Sequence, residues 1–575
     1  MRVGRLASRD SEGPERCVRT RTGCVIPELT VRVARASNPR GTMAMAIRDH
    51  LNGLRDDEDF EEWYPRDGKP GLSPAQLATV SVLQFLLGLS DRQAAESVRN
   101  RIDFKYAMGM DLEDPGFHHS VLADFRERLT EEGRADKLLD LALEKIRAVG
   151  LVRERGRQRI DSTHVLATVR DLTRLELVTE ARRATLEELA RRAPHELVGL
   201  VTEDWGKRYG RAARLGKNPS KPKTRIKETG EDVRLLLRYV HRYLPALRGG
   251  EQVQALRQIF VQNYFIGTQD RPKWRETEGA GLPPSAVAIV SPYDLSARYA
   301  RRGETRWKGF LAHVTETCDP DAPSVITDVT TTKTAVHDSK ALPGIMANLD
   351  HRNLLSKEHF VDGGYLSVAL KQQAAHEHGV GLVGPIRARS TRQSRKGNVF
   401  HREAFTINWD AKEVTCPQGN VSRRRSTPPS LAPYVNVEFS PDDCRQCPVK
   451  AACTRTDARK VTFLPRELYD IQSESRTEQQ TQEWLSRHSL RAAIESTISE
   501  FVNGHGMRQC RYRSEEKAHV QHVLTAIAVN LERIGVHLPP APARQPRNPT
   551  ALQGFLDWQH IPRPRSWRVA THPAG

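Results

Sequence analysis

"EHFVDGGYLS", residues 358–367, sets an aspartate between an apolar, strand-like run and two glycines. An acid there, followed by Gly363 and Gly364, lies where the backbone is free to turn and nothing covers the carboxylate. Two readings fit. Asp362 is either a metal-ligand position at a sheet edge or the end of a strand held in a turn by an Asx hydrogen bond. Working outward, "RQRIDSTHVLATV" at 157–169 combines β-branched residues with short alternation and reads as another strand. It carries Asp161 ahead of the polar Ser162, Thr163 and His164. "KGFLAHVTETC" and "SVITDVTTT", within 308–332, add strands, and "GVGLVGPI" adds one more beyond a helix at about 366–378. Strands interleaved with helices imply an α/β (α+β) fold in which helices pack on a mixed sheet.

The rest of the 575-residue chain is arranged around that sheet. Residues 1–43 lack sustained periodicity and read as a flexible or mis-called N-terminal extension, with Met43 and Met45 just ahead of the first folded-looking region. From Ser73 the spacing turns helical and places Leu77, Val80, Leu83, Leu86 and Leu87 on one stripe. Ser90 with Gln93 makes a capping-box pattern, so "GLSDRQAAESV" reads as helix, turn, helix. Residues 44–150 thus form a helical module, either a DNA-binding domain using Arg92, Arg99 and Arg101 or an ordinary small bundle. Residues 151–535 hold the sheet, and helical periodicity returns over 171–192 and 231–265. Two late helices are expected at 478–503 and 515–534, the second burying Val520, Val523, Leu524, Ile527 and Leu531. The Pro- and Arg-rich tail, 536–575, reads as disordered.

A formal charge of +18 and a pI near 9.7 speak to partners rather than to fold, and polyanions come first. Nine Lys or Arg and no acid fall between Lys207 and Lys227, beginning with Lys207 and Arg208. A second run, Arg387, Arg389, Arg392, Arg395 and Lys396, follows Pro385. Each reads either as a solvated loop or as a phosphate-contacting surface. No stretch approaches the roughly 18 apolar residues of a membrane span and the N-terminus has no apolar signal core, so a cytoplasmic protein with no membrane partner is expected. Eight cysteines are too sparse for a disulfide scaffold. Four of them, Cys416, Cys444, Cys447 and Cys453, cluster within 400–460 and could supply four thiolates to a structural Zn²⁺ or stay as reduced thiols.

Two aspartates on separate strands and one glutamate on a helix could hold two Mg²⁺ ions about 3.5–4 Å apart, the spacing that serves in-line phosphoryl transfer. The glutamate is sought in "TQEWLSRHSLRAAIESTISEFVNGHGMR". Glu495 has Arg491 one turn before it, and the same spacing suits a surface ion pair. Glu483 and Glu500 lie about 120° and 140° around from Glu495, so only one of the three can face the sheet.

The stretches "RIDSTHV", "RWKGFLAHVTETCDPDAPSVITDVTTT", "VDGGYLS", "CRQCPVKAACTR" and "LRAAIESTISEFVNGHGMRQCRYR" are similar to those of bacterial insertion-sequence transposases of the IS1182 type. That family falls in the IS4/IS5-like DDE transposase superfamily, and the likeness spans roughly 60–535. The resemblance implies an RNase H-like catalytic domain whose acids are Asp161, Asp362 and Glu495, binding two Mg²⁺ (or Mn²⁺) ions. The segments at about 170–280 and 400–460 then become a helical insertion and a zinc-ribbon insertion. Arg491 and Glu495 match the family's signature around the Glu, whereas His488 stands where Tyr is expected and Val502 where Lys is expected.

Also implied are binding of terminal inverted repeats, cleavage and strand transfer into target DNA, a homodimer on DNA, and phosphate contacts by Arg491 and the basic runs. Two other classes stay open: a catalytically inactive, transposase-derived DNA-binding protein, and an RNase H-like nuclease that cuts without joining.

Overall fold

The computed structural model describes residues 16–17 and 25–561, except 52–55, 66–68, 216–219, 277, 279–280, 387–399, 401, 428–433 and 538–549. Its centre is one six-stranded mixed sheet. The strands are β1 (Arg155–Leu166), β2 (Arg298–Arg302), β3 (Thr305–Thr317), β4 (Ile326–Lys333), β5 (Ser356–Phe360) and β6 (Gly381–Val383). They run in the order β6, β5, β1, β3, with β2 and β4 pairing successive stretches of the far side of β3. β3 is antiparallel to β1, whereas β5 lies parallel to β1 and β6 parallel to β5. The helix α2 (Asp338–His351) makes the crossover from β4 to β5, and α3 (Val368–His378) the crossover from β5 to β6. Four strands in antiparallel pairings, β1 to β4, followed by the helix-linked parallel β5 and β6, with helices packed on the sheet, make an RNase H-like fold.

The N-terminal helices close one side of this core. Ser73 caps the helix α1 (Pro74–Leu86) by accepting a hydrogen bond from the Gln76 N–H, and Pro74 takes the first turn, where a missing N–H costs nothing. Leu77, Val80 and Leu83 are buried as expected, but Leu87 is exposed because the helix has already ended at Leu86. Ser90 and Gln93 make the expected capping box on Asp91–Asn100. A further helix, Glu28–Ser37, lies inside the stretch read as an extension, and Ala34 on it is wholly buried with Met45 and Tyr106.

Helix α5 (Glu515–His537) is buried on every face from Val520 to Leu531, polar residues included, so its middle is enclosed by the fold. It runs between α1 and β4, and the N-terminal module, α2 and α5 share one hydrophobic core. Asn530 on α5 accepts from the Ile326 N–H (2.7 Å) and donates to the Ile326 carbonyl (2.9 Å), completing the start of β4 from outside the sheet. Arg352, just past α2, joins module to sheet through Asp136 (3.0 Å), Asp140 (2.5 Å) and the buried Asp328.

Between β1 and β2 the helices Arg174–Arg192, Pro222–Tyr243 and Glu251–Asn263 build a core of their own. The basic connector there is partly helical: Lys207 and Arg208 end the helix Glu203–Tyr209, and Pro222 begins the next. Past β6, the strands Arg424–Ser426, Val435–Glu438 and Lys460–Phe463 form a small antiparallel sheet beside the four clustered cysteines.

The late helix expected over 478–503 is instead segmented. Gln482–Ser489 is followed by a 3₁₀ turn at Leu490–Ala493, then α4 (Ile494–Ser499), then a π turn at Glu500–Gly504. A tertiary contact accompanies the first break, because Arg159 on β1 donates to the Leu490 carbonyl at 2.9 Å.

Candidate active site

Register brings the two aspartates together. β1 and β5 are parallel, and their last paired residues are Arg159 and Phe360. Two residues further along each chain stand Asp161 and Asp362, level with one another where β5 stops. Asp362 takes the Asx turn that one of its two sequence readings gave it. Its Oδ1 accepts the Gly364 N–H (2.7 Å) and the Tyr365 N–H (3.2 Å), an Asx turn, while the carboxylate faces the acidic pocket. Gly364 is required for space rather than for backbone freedom. A Cβ there would come within 2.9 Å of both Asp362 Oδ1 and Asp338 Oδ2.

Asp338 is the acid that the sequence reading missed. It opens α2, and its Oδ1 accepts the Ser162 hydroxyl at 3.2 Å, next to Asp161 in the chain. Arg302, at the tip of β2, spans it and Asp362, with Nη2 at 3.9 Å from an oxygen of each. Beneath them the wholly buried His313 Nδ1 and Tyr365 hydroxyl lie 2.6 Å apart, and His313 Nδ1 is 3.9 Å from Asp338. Burial drives His313 down to about 4, leaving it neutral, and lifts the Tyr365 phenol well above its ordinary range.

Burial likewise lifts the Asp161 carboxyl above the usual carboxylate range. Arg491, whose Nη2 is 2.8 Å from Asp161 Oδ2, and the Ser162 N–H oppose this, while Asp362 adds to it. Asp338 is raised by burial too, with Arg302 opposing and Asp362 adding. Asp161, Asp338 and Asp362 therefore crowd a half-buried pocket in which Arg491 and Arg302 do not fully offset the cost of charge on Asp161 and Asp338.

The late helix supplies the rest. Arg491 is bound to Asp161, and Glu495 lies one turn on, exposed, on α4, which packs on β1. Among the described residues Glu495 makes no ion pair. His488 stacks on Trp484, centroids 4.7 Å apart, and its Nε2 lies 3.3 Å from the Val361 carbonyl, next to Asp362. Of the described residues, the trio whose ligand atoms lie within 4.8 Å of one another is Glu500, His505 and Glu532, away from the aspartates. Glu500 is already held by Arg533 Nη2 at 2.5 Å.

Of the basic residues singled out, Lys207 is paired with Glu203 (2.7 Å), and Arg208 with Asp204 (2.5 Å) and Asp232 (2.7 Å). Arg387, Arg389, Arg392, Arg395 and Lys396 lie outside the described residues. A basic cleft of about 860 Å³ that the sequence did not announce lies in the helical insertion. Arg234, Arg238, Arg242, Arg248 and Arg257 line it, and its one acid, Asp270, pairs with the first two. The cysteines do converge: Cys416, Cys444, Cys447 and Cys453 line a single cavity. Burial raises the Cys453 thiol, opposed by Arg459 and reinforced by the other three sulfurs. Cys318 and Cys510 are buried in apolar surroundings elsewhere.

An RNase H-like sheet with Asp161 inside β1 and Asp362 just past the end of the adjacent parallel β5 matches the architecture expected of the DDE class. A family model described as Transposase DDE domain matches residues 415–535, which include Glu495 and the clustered cysteines but neither aspartate. A second, Transposase domain (DUF772), matches residues 32–128, the N-terminal helical region. Both are transposase domains, and the pairing is typical of IS1182-type transposases. No curated protein and no solved structure matches. No helix among the described residues is long and apolar enough to cross a membrane.

Proposed function

We propose that the chain binds the terminal inverted repeats of an insertion sequence and catalyses metal-dependent strand cleavage and strand transfer. The observation that carries this reading is the level pairing of Asp161 and Asp362, beside a helix segment that presents Arg491 and Glu495. Hard carboxylate oxygens in a pocket short of positive charge suit Mg²⁺ or Mn²⁺, so the donor chemistry fits such ions. Asp161, Asp362 and Glu495 are the residues that would hold them. Bound there, the ions supply a nucleophile at neutral pH and stabilise the leaving 3′-oxygen.

The chain's own groups do the rest. Arg491 offers guanidinium N–H groups to phosphate next to Asp161, and the Asx turn together with His488 fixes the backbone on either side of Asp362. Because two ends must be paired before joining, the working form is a homodimer on DNA. Incubating a labelled transposon end with plasmid and Mg²⁺ tests the reading. Target-joined product is expected, whereas nicks without joining indicate a nuclease and binding alone an inactive relative.

The basic cleft and the runs at 207–227 and 387–402 are assigned to DNA phosphates. Arg242, Arg248 and Arg257 make no ion pair among the described residues, so they are available to phosphate. Replacing all three by Ala is expected to weaken binding to any DNA sequence and to lower the slope of log K against log salt by about 1 per residue lost. An unchanged slope removes the cleft from the DNA interface.

Four thiols around one cavity suit a structural Zn²⁺. Metal analysis of the purified chain is expected to find one zinc per molecule, with Cys447→Ser losing it and lowering the melting temperature. A fully folded, zinc-free protein contradicts the assignment.

A further inference from the structure

We infer that Asp338 is a fourth acidic ligand of the catalytic ions, an inference that rests on the proposed function and extends its three-acid set. Three observations converge on it. First, α2 begins where β5 ends, which puts the Asp338 carboxylate beside Asp362: a single Cβ built on Gly364 would touch both at 2.9 Å. Second, Asp338 is tied to the β1 side of the pocket as well, through the Ser162 hydroxyl at 3.2 Å. It therefore bridges the two strands that carry the aspartates.

Third, a cationic group already stands between the two carboxylates. Arg302 Nη2 is 3.9 Å from Asp338 Oδ2 and 3.9 Å from Asp362 Oδ2, too long for a hydrogen bond to either. Its side chain is 57% exposed, so it is free to leave. A carboxylate pair held apart by a loosely placed guanidinium is arranged for a cation that can approach more closely. On the other side Asp338 is held by the Ser162 hydroxyl and backed by the wholly buried His313, whose Nδ1 is 3.9 Å away. Glu495, by contrast, is exposed and unpaired, so Asp338 is the acid already in place before DNA arrives.

Mn²⁺ titration of the full-length protein without DNA, followed by electron paramagnetic resonance, reads this directly. Asp338→Asn is expected to weaken Mn²⁺ binding tenfold or more, comparably to Asp362→Asn, whereas Arg302→Gln, which removes the competing cation, is expected to tighten it. Wild-type affinity in Asp338→Asn, with Asp161→Asn and Asp362→Asn both weakened, overturns the inference and leaves the proposed function standing. Wild-type affinity in all three overturns both. Should Asp338→Asn fail to fold, Asp338→Glu keeps the charge and displaces the carboxylate. A several-fold weaker affinity then supports the role, and wild-type affinity rejects it.

Discussion

Asp362→Asn is expected to lower strand transfer by about 10⁴-fold or more while DNA binding stays within a few-fold of wild type, the scale at which single members of a catalytic unit act. The substitution is nearly isosteric, and an amide oxygen can still accept the Gly364 and Tyr365 N–H groups that Asp362 Oδ1 accepts, so the turn after β5 survives. What is lost is the charge, and with it half of the level aspartate pair. Since Asp362 raises the energy of charge on both Asp161 and Asp338, its removal relieves that crowding, and the metal-free variant should be no less stable than wild type. Joining of a labelled end and a mobility-shift titration on the same preparation separate the two effects. Transfer within tenfold of wild type removes Asp362 from the chemistry.

The second large effect is structural and lies under the late helix. Glu316 on β3 is wholly buried, and three side chains converge on it. Arg159 Nε and Nη2 donate at 2.7 and 2.6 Å, Arg533 Nη1 at 2.8 Å, and the Thr497 hydroxyl at 2.7 Å. These partners come from β1, α5 and α4, so one carboxylate fastens the segment bearing Glu495 to the sheet. Glu316→Ala leaves two guanidinium groups facing each other without their counter-ion, a change that costs about 3–5 kcal/mol when a buried pair is broken. The denaturant midpoint should fall accordingly, and strand transfer should fall further than stability explains, because α4 loses its anchor. A change below 1 kcal/mol would show that water or the neighbouring Glu500 takes over the charge.

The sequence carried the parts of the site that depend on local pattern. An apolar run ending in Asp-Gly-Gly and a β-branched run around Asp161 each announce a strand with an acid on it, and Ser90 with Gln93 announces a helix start. Asp338 could not be found this way. An acid in the first turn of a helix is what the helix dipole favours anywhere, and nothing local says that this helix starts over the sheet's acidic end. The late helix misled for a related reason. Its sequence supports an unbroken run, but the structure interrupts it at Gln479–Thr481, where Thr481 caps the next helix by accepting the Trp484 N–H, and again where Arg159 takes the Leu490 carbonyl. The cap is written in the sequence; the arginine arrives from a strand more than 300 residues earlier. The basic cleft was hidden likewise, since its arginines are spread over two helices and the turn between them, and only packing gathers them.

Anomalous diffraction from crystals soaked in Mn²⁺ tests the central claim most directly. A peak is expected between the carboxylates of Asp161 and Asp362, within bonding reach of both. Density confined to Glu500, His505 and Glu532, with the aspartates bare, contradicts it.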